Sequence, residues 1–414
     1  MAQIRAFRGF RPRPELAVQV ASRPYDVINS AEARVEAEGN PLSFLHVVKP
    51  EIDLPEDIDP YSAAVYQKGR ENFEQMLKDG ILFQDEKPSL YVYQLVMDGR
   101  VQTGYVLEES IEDYFDGTIK KHELTRPVKE EDRKEHVRVS RIHAEPVFFA
   151  YPSHEELDAI LAYVVQSERP TYDFQTEDGI THRLWVVQDE RIINRVQVLF
   201  EPLDVYVADG HHRTAAAAMV GKELQQSREE HQGDEPYNYL MAVVFPDNQL
   251  TIIDYNRVIK DLNRHSEESF LLSLEQGFEV KRIGKEAHAP TDFHNFGMYL
   301  GGEWYSLTAR TGTYNEQDPI GVLDVTILSA QVLEPLLGIT DLRRDKRIDF
   351  VGGIRGLGEL EKRVDSGEMK VAFALYPVSM QQLIDIADSG EIMPPKTTWF
   401  EPKLRSGLVV HSLD

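Results

Sequence analysis

The chain has 414 residues, 42% hydrophobic and 28% charged, with 45 basic and 70 acidic side chains and a formal charge of −25. That length calls for one large α/β domain or two to three subdomains, and that charge argues against a non-specific nucleic-acid binder, whose phosphate contacts need a basic surface. Cysteine is absent, which excludes disulfides, thiolate metal sites and cysteine nucleophiles; no run approaches ~18 apolar residues and the start lacks an apolar leader core, so a cytoplasmic protein without a membrane partner is expected.

Residues 1–30 are rich in Arg and Pro and end in Arg23-Pro24-Tyr25-Asp26-Val27-Ile28-Asn29-Ser30. Pro24 disfavours helix before it, so Tyr25-Asp26 reads as a turn, with Ser30 as N-cap of a helix over 31–38 closed by Gly39-Asn40. Residues 60–80 carry Tyr61, Val65, Phe73, Met76 and Leu77 at helical spacing. Leu90–Met97 and Val101–Leu107 flank Asp98-Gly99, a strong hairpin signal. The stretch Lys120-Lys121-His122-Glu123-Leu124-Thr125-Arg126 comes next, with no clear helical pattern. The charge run 130–138 reads as a solvated helix face. Helices over 154–167 and 190–200 bracket a strand at Leu184–Val187.

The densest polar chemistry lies in Val205-Tyr206-Val207-Ala208-Asp209-Gly210-His211-His212-Arg213-Thr214, with an alanine-rich helix after it to about 230. A strand that ends in a Gly turn and starts a helix presents unpaired backbone N–H groups and the positive end of the helix dipole, a ready anion site. Gly210 permits close approach, Arg213 offers a bidentate fork, His211 and His212 are donors when protonated, and Asp209 suits a histidine, a hydroxyl or a magnesium ion. Adjacent histidines do not share a helix face and His-Glu-x-x-His is absent from the sequence, so zinc is not expected.

Beyond it a hairpin is expected from 240–245 and 250–253, helices near 257–262, 266–276, 323–337, 355–366 and 379–389, and strands at 278–282, 297–300, 303–308, 348–351 and 371–376. That alternation predicts a parallel or mixed sheet. The tail, Met393 to Val409, carries Trp399-Phe400 and the cations Lys403 and Arg405, two apart on an extended segment and hence on one side. The expected class is α/β (mixed α+β), a mixed sheet with flanking helices, an N-terminal region 1–254 and a C-terminal region 255–414 making one compact unit.

Four separated stretches, in order, resemble the DUF1015 family, a largely uncharacterised set of bacterial and archaeal proteins: Pro24-Tyr25-Asp26-Val27-Ile28; His122-Glu123-Leu124-Thr125 with Glu131-Asp132-Arg133; Ala208 to Arg213; and Met393-Pro394-Pro395-Lys396 with Pro402-Lys403-Leu404-Arg405-Ser406-Gly407-Leu408. The turn is also similar to the phosphate-binding turn of the ParB/sulfiredoxin group, which includes free-serine kinases. That resemblance implies Gly210, His211, His212 and Arg213 as the phosphate grip, to which Thr214 is added as a neighbouring candidate, with ATP or ADP and Mg expected as cofactor and a small hydroxyl-bearing metabolite as substrate. The catalytic carboxylate of those kinases has no matching position here; on chemistry, the candidate catalytic set is Glu123, His122, Asp209 and His212, with Asp209 on the metal and Tyr25, Asp26, Lys121, Arg133, Lys403 and Arg405 on the substrate. Glu123 and Asp26 both suit the base on chemistry alone. Where many relatives carry a His-Arg pair this chain has Asn256-Arg257. The leading reading is a small-molecule kinase; the alternatives are a non-catalytic nucleotide-binding regulator and a phosphatase-type hydrolase.

Overall fold

The computed structural model describes residues 2–228 and 230–414. They divide into two compact units, one of Met1–Lys121, Thr125–Leu250 and Pro402–Asp414, the other of His122–Leu124 and Thr251–Glu401. The fold is mixed α+β. The tail that the sequence groups with the C-terminal region thus divides, and its last thirteen residues belong to the first unit.

The first unit is built on a nine-stranded mixed sheet. Its strands run in the order Ile119–Lys120, Val205–Asp209, Val147–Tyr151, Tyr239–Pro246, Arg100–Ser110, Leu90–Met97, Thr181–Val187 and Tyr172–Gln175, with Ile4–Arg5 added beside Arg100–Ser110. The hairpin forms as read, with Asp98 at φ 51° and Gly99 at φ 77°, as a tight two-residue turn requires. One sheet face packs under the helices Glu155–Ser167, Glu190–Phe200 and His211–Ser227, burying Leu157, Leu161, Val196, Phe200, Ala217 and Ala218 against Val92, Tyr105 and Val244. A run of small side chains, Ala215–Ala218, is what allows the last helix to bury so much of its circumference. A second core joins Tyr25, Ile28, Phe44, Val47, Phe73, Met76 and Val410.

Several expectations shift by a residue or two. The first predicted helix is Ser30–Ala37, capped by Asn29 in a capping box with Glu32, so Ser30 is its first residue and not its cap. The charged helix is Pro127–Ser140, and it is not solvated all round: Asp132, Arg133 and His136 are buried. Their spacing puts them on one face, where pairing makes burial of the charges tolerable.

The second unit holds a six-stranded sheet in the order Phe278–Gly284, Glu303–Ala309, Asn295–Leu300, Val371–Leu375, Tyr255–Ile259 and Ile348–Gly352, with every recorded pairing antiparallel. The predicted helix at 257–262 is therefore wrong: Tyr-Asn-Arg-Val-Ile is a strand buried between two others. The predicted strand at 250–253 is reduced to a single bridge, Ile252 to Phe400, because the tail supplies the partner. The helix expected over 323–337 is α-helical only at Asp324–Leu328 and continues as a π-helical turn, Ser329–Leu333. No helix among the described residues is long and apolar enough to cross a membrane.

The tail is fastened to the first unit by Ser22 and Ser406, whose amides and carbonyls exchange hydrogen bonds at 3.1 and 2.9 Å. Gly407 next to it has φ +85°, and a Cβ there would lie 2.7 Å from Cβ and Cγ of the buried Phe44. Gly407→Ala is expected to cost roughly 2–4 kcal/mol, from left-handed strain plus overpacking. Gly99→Ala meets nothing within 4 Å and should cost roughly half as much, from strain alone. Equal shifts of the urea midpoint for the two variants would show that the tail does not pack as described.

Candidate functional site

The site grows from the strand Val205–Asp209 and the helix His211–Ser227, joined by Gly210 at φ 92°. The strand's register shifts between Val207 and Asp209, which re-aims its last carboxylate. Thr214 N–H donates to the Gly210 carbonyl, the first bond of the helix, so the amides of His211, His212 and Arg213 precede the helical ladder.

Arg213 folds back beneath the turn. A Cβ on Gly210 would lie 3.1–3.2 Å from its Nε, Cζ and Nη2, so glycine is required both for φ and for this approach. Only 9% of Arg213 is exposed. Nη1 donates to the Pro146 carbonyl at 2.8 Å and Nη2 lies 3.6 Å from Asp26 Oδ2, while Nε has no hydrogen-bond partner among the described residues. Burial disfavours its charge, but Asp26, Glu145 and Asp209 outweigh that and hold its pKa above the ordinary value.

Asp209 accepts from the Gly210 amide at 2.8 Å and from Lys403 Nζ at 2.8 Å. Burial alone would raise its carboxyl, yet Lys403 and Arg213 hold it well below the carboxylate range. Glu145, 7% exposed, accepts at Oε1 from the Tyr25 amide (2.9 Å) and the Ser406 hydroxyl (3.0 Å). Burial raises its carboxyl against the pull of Arg213 and Arg133. Arg133 lies over the Tyr25 ring at 3.9 Å and donates from Nε and Nη2 to Asp132 at 3.1 and 2.9 Å; Asp132 in turn accepts from Tyr66 at 3.0 Å. Behind them a cavity of about 30 Å³ is lined by Arg133, His136, His143, Glu145 and Arg213 with apolar walls such as Leu240 and Met241.

The first unit thus brings together Tyr25, Asp26, Arg133, Asp209, Gly210, Arg213 and Lys403 from the sequence-predicted set. His212 is also held there, its Nε2 accepting from the Arg126 amide at 3.0 Å, which leaves Nδ1 to carry the ring proton. His211 is buried beside Asp209, whose charge it supports. Others go elsewhere. Thr214 is wholly buried with its hydroxyl on the Gly210 carbonyl at 3.0 Å, so it finishes the helix turn and does not face a ligand. Lys121 lies over the Tyr114 ring at 3.9 Å and donates to the Tyr114 carbonyl. Arg405 does not share a face with Lys403 in effect: it pairs with Asp178 beside His182, and its amide donates to Tyr93. The tail's irregular backbone breaks the alternation on which that expectation rested.

His122 and Glu123 belong to the second unit, where the His122 carbonyl accepts from the Met393 amide at 2.8 Å and its Nε2 lies 3.4 Å from Thr398 Oγ1. Arg257 in that unit is buried and donates to the Lys396 carbonyl at 3.0 Å, and burial lowers its pKa to about 10. Glu145 is the residue the sequence reading missed. Nothing at its own position marks it, since Glu145-Pro146 simply precede the apolar run Val147–Tyr151.

A magnesium ion does not fit Asp209 as it stands. Its oxygens are engaged by an ammonium and an amide, and no group of three or more His, Asp or Glu among the described residues has the arrangement of a metal site. An anion fits better: the unpartnered Nε–H of Arg213, Lys403 and the helix amides are donors around one glycine.

A structure of a mutant free serine kinase in complex with AMP aligns at TM-score 0.37 and 12% identity, covering 73% of this chain and 91% of that one. SbnI with a C-terminal truncation, from Staphylococcus aureus, aligns at 0.38 and 12%, covering 73% and 86%. A conserved hypothetical protein from Pyrococcus furiosus aligns at 0.35 and 13%, covering 74% and 95%. Scores this low give the likeness no weight for function. No match was found among curated proteins. A family profile described as "Protein of unknown function (DUF1015)" matches residues 4–326, well over half of the sequence, and the chain belongs to the DUF1015 family.

Proposed function

We propose that the turn Asp209–Arg213 binds the phosphates of a nucleotide and that the protein transfers a phosphoryl group to a small hydroxyl-bearing metabolite. The observation that carries this is the buried Arg213 guanidinium, folded against Gly210 at the start of a 17-residue helix with its Nε lacking a partner. Burying an unsatisfied cationic donor is costly unless a ligand completes it. The cations Arg133, Arg213 and Lys403 are offset by Asp26, Asp132, Asp209 and Glu145, so affinity for phosphate comes from directed hydrogen bonds and not from net charge.

In this reading the amides of His211, His212 and Arg213 and the Arg213 fork hold phosphate oxygens, and Lys403 offsets their charge. Asp26 takes the base's place. It is the carboxylate at the turn that keeps about a third of its side chain exposed, whereas Asp209 is held by Lys403 and Glu145 is buried. The nucleotide is the phosphoryl donor, and Asp26 receives the proton of the acceptor hydroxyl.

Titrating the protein with ADP and ATP, with and without magnesium, should raise its melting temperature, and labelled γ-phosphate should pass to a member of a panel of hydroxyl-bearing metabolites. No shift with any nucleotide would sink the reading. A shift without transfer would favour a non-catalytic nucleotide-binding regulator, a reading supported by the pairing of both Asp26 and Asp209 with cations.

A further inference from the structure

Three segments far apart in sequence meet on one carboxylate. Glu145 Oε1 accepts from the Tyr25 amide, next to Asp26, and from Ser406, three residues after Lys403. Its charge faces Arg213 of the turn and Arg133 of the helix Pro127–Ser140. Asp26 faces it as a like charge, and His136 and His143 line the cavity on its other side. Both histidines are kept neutral, His136 by burial and Arg133, with its Nε2 on the Val47 carbonyl at 3.0 Å, and His143 by burial and His411. Neither adds positive charge to the cluster. Glu145 is therefore a buried counter-charge whose loss changes what Arg213 can attract.

The geometry points to Glu145 as a positioning residue that couples anion binding at the turn to uptake of a proton. The inference rests on the reading of Asp209–Arg213 as a phosphate site. Without a ligand, Arg213 and Arg133 stabilise the ionised carboxyl against its burial. A phosphate on Arg213 takes up that guanidinium's charge and adds its own, so the ionised form of Glu145 loses its compensation. A proton from solvent then enters onto Glu145, and no bond of the nucleotide is altered. The complex therefore holds more protons than the free protein, so affinity falls as pH rises through the carboxyl's own range, which burial has already placed above the ordinary carboxylate value. The cavity, with room for one or two waters, and the unpartnered nitrogens of His143 beside it give the proton a polar route inward.

The test is calorimetric titration of the full chain with ADP in two buffers of different ionisation enthalpy, across pH, for the wild type and Glu145→Gln. The amide keeps the acceptor for Tyr25 and Ser406 but cannot titrate. The wild type should take up more protons per ADP than the variant, by up to one, and the variant should bind more tightly at high pH. ADP ionises alike in both titrations, so the difference between the two proteins reads the removal of the Glu145 carboxyl. Equal proton uptake, with both proteins binding ADP, overturns the inference alone. A wild type that does not bind ADP overturns the phosphate-site reading, and the inference with it. Ser406→Ala gives an independent check should Glu145→Gln not fold. Losing a donor to the ionised carboxyl should move the affinity decline to higher pH, and an unmoved profile overturns the inference.

Discussion

Arg213→Ala should lose all stabilisation by ADP and should itself lower stability by about 3–5 kcal/mol, the usual result of removing one partner from a buried ion pair. Both effects have one origin. The guanidinium is 9% exposed and is the shared counter-charge of Asp26, Glu145 and Asp209. Alanine leaves those carboxylates facing one another and removes the fork from beneath Gly210. At ADP one hundredfold above its Kd the wild type should gain about 2.7 kcal/mol; the alanine variant should gain none. Arg213→Lys separates the two effects, since it keeps a cation for the carboxylates without the planar fork. It should recover much of the stability and little of the binding. Urea unfolding with and without ADP measures both, and an alanine variant that unfolds like the wild type and still responds to ADP would remove Arg213 from the site.

Asp26→Asn should reduce phosphoryl transfer by roughly 10²–10⁴-fold, the usual contribution of a general base, while leaving ADP binding intact or tighter. The asparagine keeps the size of the side chain but cannot accept the proton. It also removes an anion 3.6 Å from Arg213 that competes with phosphate for the guanidinium. The informative comparison is therefore between turnover, traced by labelled phosphate, and ADP affinity, measured by calorimetry. Wild-type turnover in this variant would exclude Asp26 as the base.

The strand–glycine–helix junction at Asp209–Arg213 was legible because it is local. Hydrophobic β-formers, one glycine and a run of alanines specify strand, left-handed turn and helix within a few residues. The same holds for the Asp98-Gly99 hairpin and for the helices with clean periodicity, such as Glu155–Ser167 and Glu190–Phe200. Where reading failed, the deciding partner was distant. Tyr255–Ile259 is a strand because Ile348–Gly352 and Val371–Leu375 flank it. Leu250–Ile253 is not a hairpin strand because Phe400 bridges Ile252. The charge run 130–138 hides a buried face because Tyr25 and Tyr66 receive Arg133 and Asp132.

From the sequence by itself came the family, the mixed α+β class, and a strand–glycine–helix turn beside an arginine, since each depends on residue types at short spacing. Only the tertiary structure decided which cations serve that turn. Lys403 reaches Asp209 and Arg405 is committed to Asp178, although they stand two residues apart, because the backbone between Pro402 and Gly407 is set by the single bridge of Ser406 to Ser22 and not by a regular pleat. Tertiary structure alone also revealed Glu145, whose importance lies in the burial and the two guanidinium groups around it, neither of which leaves a mark at its own position in the chain.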